Sequence, residues 1–106
     1  MKQVITESHE NDSVGNPAGG TTSATGIWIK WQSGPLGRGA DRKEPNGAFV
    51  EGVIQAAAGR LAHYQASRFA CTENAEALAH LEKALAILEA RTAAREARAV
   101  EGTHQT

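Results

Sequence analysis

The longest regular pattern of hydrophobic and polar positions lies in residues 72–104. Four leucines recur there at spacings of three, four and three, at Leu78, Leu81, Leu85 and Leu88. This spacing is typical of a helix that packs against other helices. It predicts a long helix over residues 73–98, followed by a short tail.

A second apolar face precedes this helix and predicts another one over residues 48–65. Its members recur with a period near 3.6 residues and are Phe49, Val50, Val53, Ile54, Ala57, Leu61 and Tyr64. Asn46 is a candidate cap for its first turn. Because only a short segment joins the two helices, we expect them to form an antiparallel hairpin.

Alternating residues in GIWIKWQ predict a strand over residues 27–32. A single strand is not stable, so its partner must be another short local segment or the same strand of another subunit. Glycines and prolines mark residues 33–47 as a loop. We favour a solvated connection over a phosphate-cradling loop, since GPLGRG lacks the Gly-Lys-Ser/Thr ending of a P-loop.

Residues 1–26 are rich in Gly, Ser, Thr and Asn, and we expect a disordered N-terminal arm there. Residues 27–106 would then be the folded domain. The predicted fold class is α+β, with a short N-terminal β element followed by an antiparallel two-helix hairpin. Aromatic residues are only 5% of the chain, so its core is small, and oligomerisation is a common remedy.

Charge and composition narrow the function classes. Eleven Lys and Arg against twelve Asp and Glu give a net charge of −1, which argues against a nucleic-acid polymer as partner. The single cysteine rules out an internal disulfide and fits a reducing compartment. We see neither a secretory signal nor an apolar run near the ~20 residues of a membrane span. We therefore expect a cytoplasmic protein without membrane contact.

No catalytic constellation is recognisable. The four histidines, His9, His63, His80 and His104, are scattered, and one cysteine does not complete a zinc-site spacing. No G-x-S-x-G nucleophile motif occurs. The residues therefore predict a binding protein rather than an enzyme, with no cofactor and no metal.

Candidate binding residues lie at the ends of the predicted helices. Arg91 and Arg95 are four residues apart, so their guanidinium groups share one side of the helix and can reach adjacent phosphates. The simpler explanation is that they complement the helix dipole. Tyr64 is either a core residue or a ring on which a base stacks. Asn74 belongs to a first helical turn, where exposed N–H groups attract anions.

Three ordered motifs carry a family resemblance: F-A-C-x-E-N-A, then R-T-x-x-R-x-x-R, then V-E-G-T-H. Together with the WIKWQSGP segment they resemble the phage Thoeris anti-defence sponge family, with the phage anti-CBASS sponge as a more distant relative. The resemblance covers roughly residues 27–106. Ala99 departs from the family pattern, which has glycine before V-E-G-T-H.

The resemblance implies that the chain binds and sequesters a cyclic nucleotide immune signal without cleaving it. In the Thoeris case this signal is a cyclic ADP-ribose isomer. Tyr64 would stack on adenine, Asn74 would make a polar contact, and Arg91 and Arg95 would hold the pyrophosphate. Some family members also bind cyclic di- or trinucleotides in a second pocket; the weaker candidates for such a pocket here are Arg98, Thr103 and His104.

If Asn74 and Arg91 bind the same ligand, as the resemblance implies, their positions imply a homo-oligomer. Asn74 and Arg91 are seventeen residues apart on one helix, which corresponds to roughly 25 Å. One small ligand does not span that distance, so both can touch it only from different subunits whose helices pair antiparallel. The resemblance further implies dimers assembled into a hexamer through the Trp28 and Trp31 region. The alternative function is an oligomeric helical-hairpin module that binds another protein.

Overall fold

The computed structural model describes residues 2–98 and shows an α+β chain. Its elements are the antiparallel strands β1 (Thr6–Asn11), β2 (Pro17–Ala24) and β3 (Ile27–Lys30), a turn of 3-10 helix (Gly39–Asp41), and the helices α1 (Val50–Gln65) and α2 (Thr72–Ala97). The described residues divide into two compact units, the sheet unit (residues 2–49) and the helical hairpin (Val50–Arg98). None of the helices within residues 2–98 has the length and apolarity needed to cross a bilayer.

The first two strands lie where composition predicts a disordered arm. Residues 6–24 instead form β1, β2 and their turn, with Thr6 opposite Ser23. Local polar contacts explain the difference: the Asp12 carboxylate accepts hydrogen bonds from the N–H groups of Val14 (2.9 Å) and Asn16 (3.0 Å) and so shapes the turn. The expectation of disorder is thus corrected for this segment, while the division of the chain at residue 26 stays a prediction.

β3 pairs with β2, a local segment of the same chain. Pairing with the same strand of another subunit is therefore not needed to explain β3. Ala24 pairs with Ile27, which leaves a two-residue turn whose second position is Gly26, at φ +76°. Two-residue hairpin turns favour glycine because their backbone enters the left-handed region. β3 ends at Lys30, two residues before the predicted end of the strand.

Gly20 allows β1 and β2 to approach closely. A Cβ atom at this position would lie 2.0 Å from the carbonyl oxygen of Ser8, and the φ of Gly20 is +125°. Neither the space nor the backbone angle suits another residue. The β1–β2 pairing therefore depends on glycine here.

Residues 31–48 close the sheet unit. The Trp31 indole N–H donates to Thr22 Oγ1 at 2.8 Å. Asn46 was expected to cap the first helix, but its Oδ1 atom accepts from the Ser33 N–H (2.8 Å) and its own N–H donates to Gln32 Oε1 (2.9 Å). The base of the predicted loop is therefore closed by an amide clamp. Because the Ala48 N–H donates to the Lys30 carbonyl, α1 begins at Val50 and not at residue 48.

The two helices form the predicted hairpin, with residues 66–71 as their connection. In α2 the less exposed positions share one side of the helix: Asn74, Leu78, Leu81, Ala84, Leu85, Leu88, Thr92 and Arg95. The leucine pattern thus identifies the correct side. Burial is shallow, however: Ala58, at 7% exposure, is the one buried hydrophobic residue of the described hairpin.

Candidate functional site

The predicted ligand residues fall into two groups at opposite ends of the hairpin. Tyr64 lies in the last turn of α1 and Asn74 in the first turn of α2, so both lie at the connection. Arg91 and Arg95 lie in the last two turns of α2, and Arg98 is its C-terminal cap. Thr103 and His104 lie outside the described residues. The structure therefore brings Tyr64 and Asn74 to one end and the arginines to the other, within one chain.

The connection end is held by side-chain contacts to the backbone. Cys71 caps α2: its Sγ atom accepts from the Asn74 N–H at 3.4 Å. The Gln65 side chain accepts from the Cys71 N–H (3.0 Å) and donates to the Cys71 carbonyl (3.1 Å). Thr72 and Asn74 have side chains that are common at helix N-caps, but the structure assigns the cap to Cys71, the residue before Thr72. Asn74 lies three residues after the cap and is half-buried.

Tyr64 presents a partly exposed ring at this end, with 36% of its surface accessible. Arg60, one turn earlier on α1, donates from Nε to Tyr64 Oη at 3.2 Å, and its guanidinium carbon lies 4.9 Å from the ring centroid. The ring is thus not a core side chain, and it keeps surface on which a flat base can stack. Sequence reasoning missed Arg60, although its i, i+4 spacing to Tyr64 was a usable signal.

A second arginine–aromatic pair lies in the connection itself. The guanidinium carbon of Arg68 is 4.6 Å from the ring centroid of Phe69, and 62% of Phe69 is exposed. Neither residue was among the sequence candidates. The connection end of the hairpin therefore combines two aromatic rings with two cations and the Asn74 amide.

The two arginines at the other end differ in environment. Arg91 is exposed, whereas Arg95 is half-buried at the end of the leucine side of α2. Glu51, in the first turn of α1, is half-buried too, and in an antiparallel hairpin this turn lies at the same end as Arg95. A carboxylate is therefore available to offset part of the positive charge there, while Arg91 keeps its guanidinium group in solvent.

Metal-ligand clusters and clefts are the other features that could form a site in residues 2–98. Within residues 2–98 no three His, Cys, Asp or Glu side chains come close enough together to hold a metal ion. The sheet unit carries an open cleft of about 330 Å³, lined in part by Glu10, Thr21, Lys30 and Trp31. None of the predicted ligand residues within residues 2–98 lines it.

Comparison with known proteins gives two matches. Residues 29–93 match the family model described as the Acb2/Tad1 hairpin domain. The chain is also 45% identical over 77 residues to Thoeris anti-defense 1 of Bacillus phage SBSphiJ7. That alignment covers 73% of this chain and 51% of the relative, so the chain spans about half the length of the relative it matches.

The matched range fits the structure in part. It begins in β3 and ends within α2, so it includes Tyr64, Asn74 and Arg91 and stops two residues before Arg95. Strands β1 and β2 lie outside it. The family that the motifs of the sequence indicate is confirmed. From its hairpin and these matches, the chain belongs to the Acb2/Tad1 hairpin-domain family.

Proposed function

We propose that this protein binds a cyclic ADP-ribose isomer and holds it without cleaving it, so that a bacterial anti-phage defence loses its signal. The name of the Bacillus phage relative, Thoeris anti-defense 1, supports an anti-defence role. The proposed place of action is the cytoplasm of the infected host. Cyclic di- or trinucleotides are the second ligand class to be tested.

One observation carries the proposal: the helical hairpin has one end with aromatic rings and an amide, and an opposite end with arginines. A cyclic ADP-ribose isomer has an adenine base and a pyrophosphate, so it requires both a stacking surface and paired cations. Each end of the hairpin supplies one of these. At roughly 25 Å from Asn74 to Arg91, the two halves complete one site only when α2 helices of two copies pair antiparallel.

The surface of α2 supports such a pairing. Ile87 is 58% exposed, and Arg91, one turn later on the same side of the helix, is exposed as well. An exposed apolar side chain beside a proposed ligand residue is suited to a subunit interface. In the proposed dimer, two-fold symmetry produces two equivalent sites.

A hexamer of three dimers is the proposed assembly. Trp28 is 70% exposed and offers surface for contacts between dimers. Trp31 is less suited to this role, because it is half-buried and its indole N–H is bonded to Thr22 within its own sheet unit. Light scattering of the purified protein tests the assembly, and a monomeric mass at low micromolar concentration would contradict it.

Calorimetry with a panel of cyclic ADP-ribose isomers tests the function. We expect one isomer to bind at micromolar concentration or below, and Arg91→Ala to weaken it at least tenfold, since a charged hydrogen bond contributes about 1.5–3 kcal/mol. Lys83→Ala, an exposed cation on the same helix, is the matched control and should bind normally. If no isomer binds, and cyclic di- and trinucleotides are also inert, the sponge function is refuted.

The second candidate is a protein-interaction module. Exposed Phe69 and Ile87 favour it, because exposed apolar side chains are typical of protein interfaces. It predicts an oligomer with no heat of binding for any cyclic nucleotide. The same titrations therefore separate the two functions.

A further inference from the structure

Arg60 and Tyr64 form a contact that joins a cation to the partly exposed aromatic ring of the proposed site. The Nε–H group of Arg60 donates to Tyr64 Oη at 3.2 Å, while its guanidinium carbon lies 4.9 Å from the ring centroid. Both residues lie on α1, four positions apart and therefore on the same side of the helix. The guanidinium group leans over the ring near its hydroxyl end.

This contact restricts the ring in two ways. An exposed tyrosine on a helix exchanges between rotamers, and ordering it at the moment of binding costs conformational entropy. The Arg60 hydrogen bond and the cation–π contact both favour one orientation, so part of that cost is met before the ligand arrives. Because the guanidinium group covers part of one ring face, the opposite face is the one left for a base.

The hydrogen bond also assigns the direction of the tyrosine hydroxyl. Arg60 can only donate, so Oη is the acceptor in this contact. The hydroxyl hydrogen of Tyr64 then remains available to donate to an oxygen or nitrogen acceptor outside the pair. A phenylalanine at this position would stack equally well but would lack both the Arg60 hydrogen bond and this donor.

We propose that Arg60 is a positioning residue that holds the Tyr64 ring ready to stack on the ligand base, on one face only. The assignment rests on the proposed function, in which Tyr64 contacts the base. Arg60 acts through Tyr64 and does not itself contact the ligand. A direct contact between Arg60 and a ligand phosphate is the competing account, and it predicts a different result when the tyrosine ring is removed.

The first measurement uses the free protein. Tyr64 is the single tyrosine of the chain, so a protein labelled with ¹³C-tyrosine gives ring signals that need no assignment. Arg60→Ala should change the chemical shifts of these signals, because the substitution removes a cation and a hydrogen bond from the ring. Arg68→Ala is the control: it removes the same charge from the connection, where Arg68 lies against Phe69. Unchanged tyrosine signals in Arg60→Ala would overturn the proposal, whether or not the protein binds cyclic ADP-ribose.

The second measurement is a binding cycle by calorimetry, with the cyclic ADP-ribose isomer that binds the wild-type protein. Arg60→Ala should weaken binding about two- to fivefold, the range expected when an exposed cation–π contact is lost. In a Tyr64→Leu background the same substitution should have no further effect, because no ring remains to be positioned. Circular dichroism of each variant checks that the helices are retained.

The outcomes are distinguishable. If Arg60→Ala weakens binding equally in the Tyr64 and Leu backgrounds, Arg60 contacts the ligand directly and the positioning role is overturned. If wild-type protein binds and Arg60→Ala binds as tightly, the role is overturned as well. If the wild-type protein binds no isomer, the proposed function is refuted. The tyrosine signals of the free protein still show whether Arg60 holds the ring.

Discussion

The shared site can be tested by damaging its two halves in separate chains. One variant combines Tyr64→Leu with Asn74→Ala at the connection end of the hairpin. The other combines Arg91→Ala with Arg95→Ala at the opposite end. Since Asn74 and Arg91 are roughly 25 Å apart along α2, neither chain can repair its own site, but each carries the half that the other lacks.

The expected losses follow from the contacts removed. Stacking of a base on an aromatic ring contributes about 1–3 kcal/mol, and each charged hydrogen bond to phosphate about 1.5–3 kcal/mol. Each parent should therefore bind at least about tenfold more weakly than the wild type. In a randomised equal mixture, a site receives an intact connection end in half of cases and an intact arginine end in half. About a quarter of all sites should thus regain wild-type affinity in a two-fold assembly.

Calorimetry measures this fraction as the stoichiometry of the tight binding phase. Each parent alone, at the total protein concentration of the mixture, should show no tight phase. The mixture is denatured and refolded together so that subunits exchange fully. A chain carrying all four substitutions, mixed with the arginine variant, is the matched control and should also remain without tight sites.

Two results would refute the reasoning. A fully exchanged mixture that binds no better than its parents would mean that the site is not shared between chains. Tight binding by either parent alone would mean that the substituted end is not part of the site. Light scattering of the mixture verifies that the chains are assembled into an oligomer when the first result is obtained.

Three further predictions address the fold and the chemistry. Leu85→Ala should lower the free energy of unfolding of the hairpin by about 2 kcal/mol, which is the low end for a leucine because this side chain is half-buried. Lys83→Ala, at an exposed position, should change the same free energy by no more than about 0.5 kcal/mol. Circular dichroism in denaturant measures both values. Gly20→Ala should destabilise the sheet unit more than Gly26→Ala, because an added Cβ meets the β1 backbone at Gly20 and nothing within 4 Å at Gly26. Tryptophan fluorescence measures this difference, since both tryptophans belong to the sheet unit. Bound cyclic ADP-ribose should be recovered intact after heat denaturation of the complex, and a linear product in the mass spectrum would reveal an enzyme.

Elements that depend on neighbouring residues were predictable from the sequence. The side of α2 that packs in the hairpin follows from Leu78, Leu81, Leu85 and Leu88, because a helix returns to the same side every three or four residues whatever surrounds it. The connection of the helices follows from the short segment between them. The cap did not follow, since cysteine is not among the common cap residues and its role depends on the Gln65 contacts.

The candidate site was predictable only residue by residue. The spacing of Arg91 and Arg95 marked them as candidates in the sequence. Their different exposure depends on which side of α2 packs against α1. The one sequence signal for Arg60 was its i, i+4 spacing to Tyr64, and the structure adds the 3.2 Å contact between Arg60 Nε and Tyr64 Oη that suggests its role. Which residues share a ligand across subunits stays a prediction.

The sequence by itself determined the helical hairpin and the family, because helical periodicity and local motifs are properties of neighbouring residues. Only the tertiary structure decided that residues 6–24 form strands and that Asn46 clamps the sheet unit instead of capping α1. A strand is stable only when another strand accepts its hydrogen bonds, and a polar side chain takes whichever partner the fold brings near. Composition does not show such pairings, either between β1 and β2 or between Asn46 and Ser33, which is thirteen residues earlier in the chain.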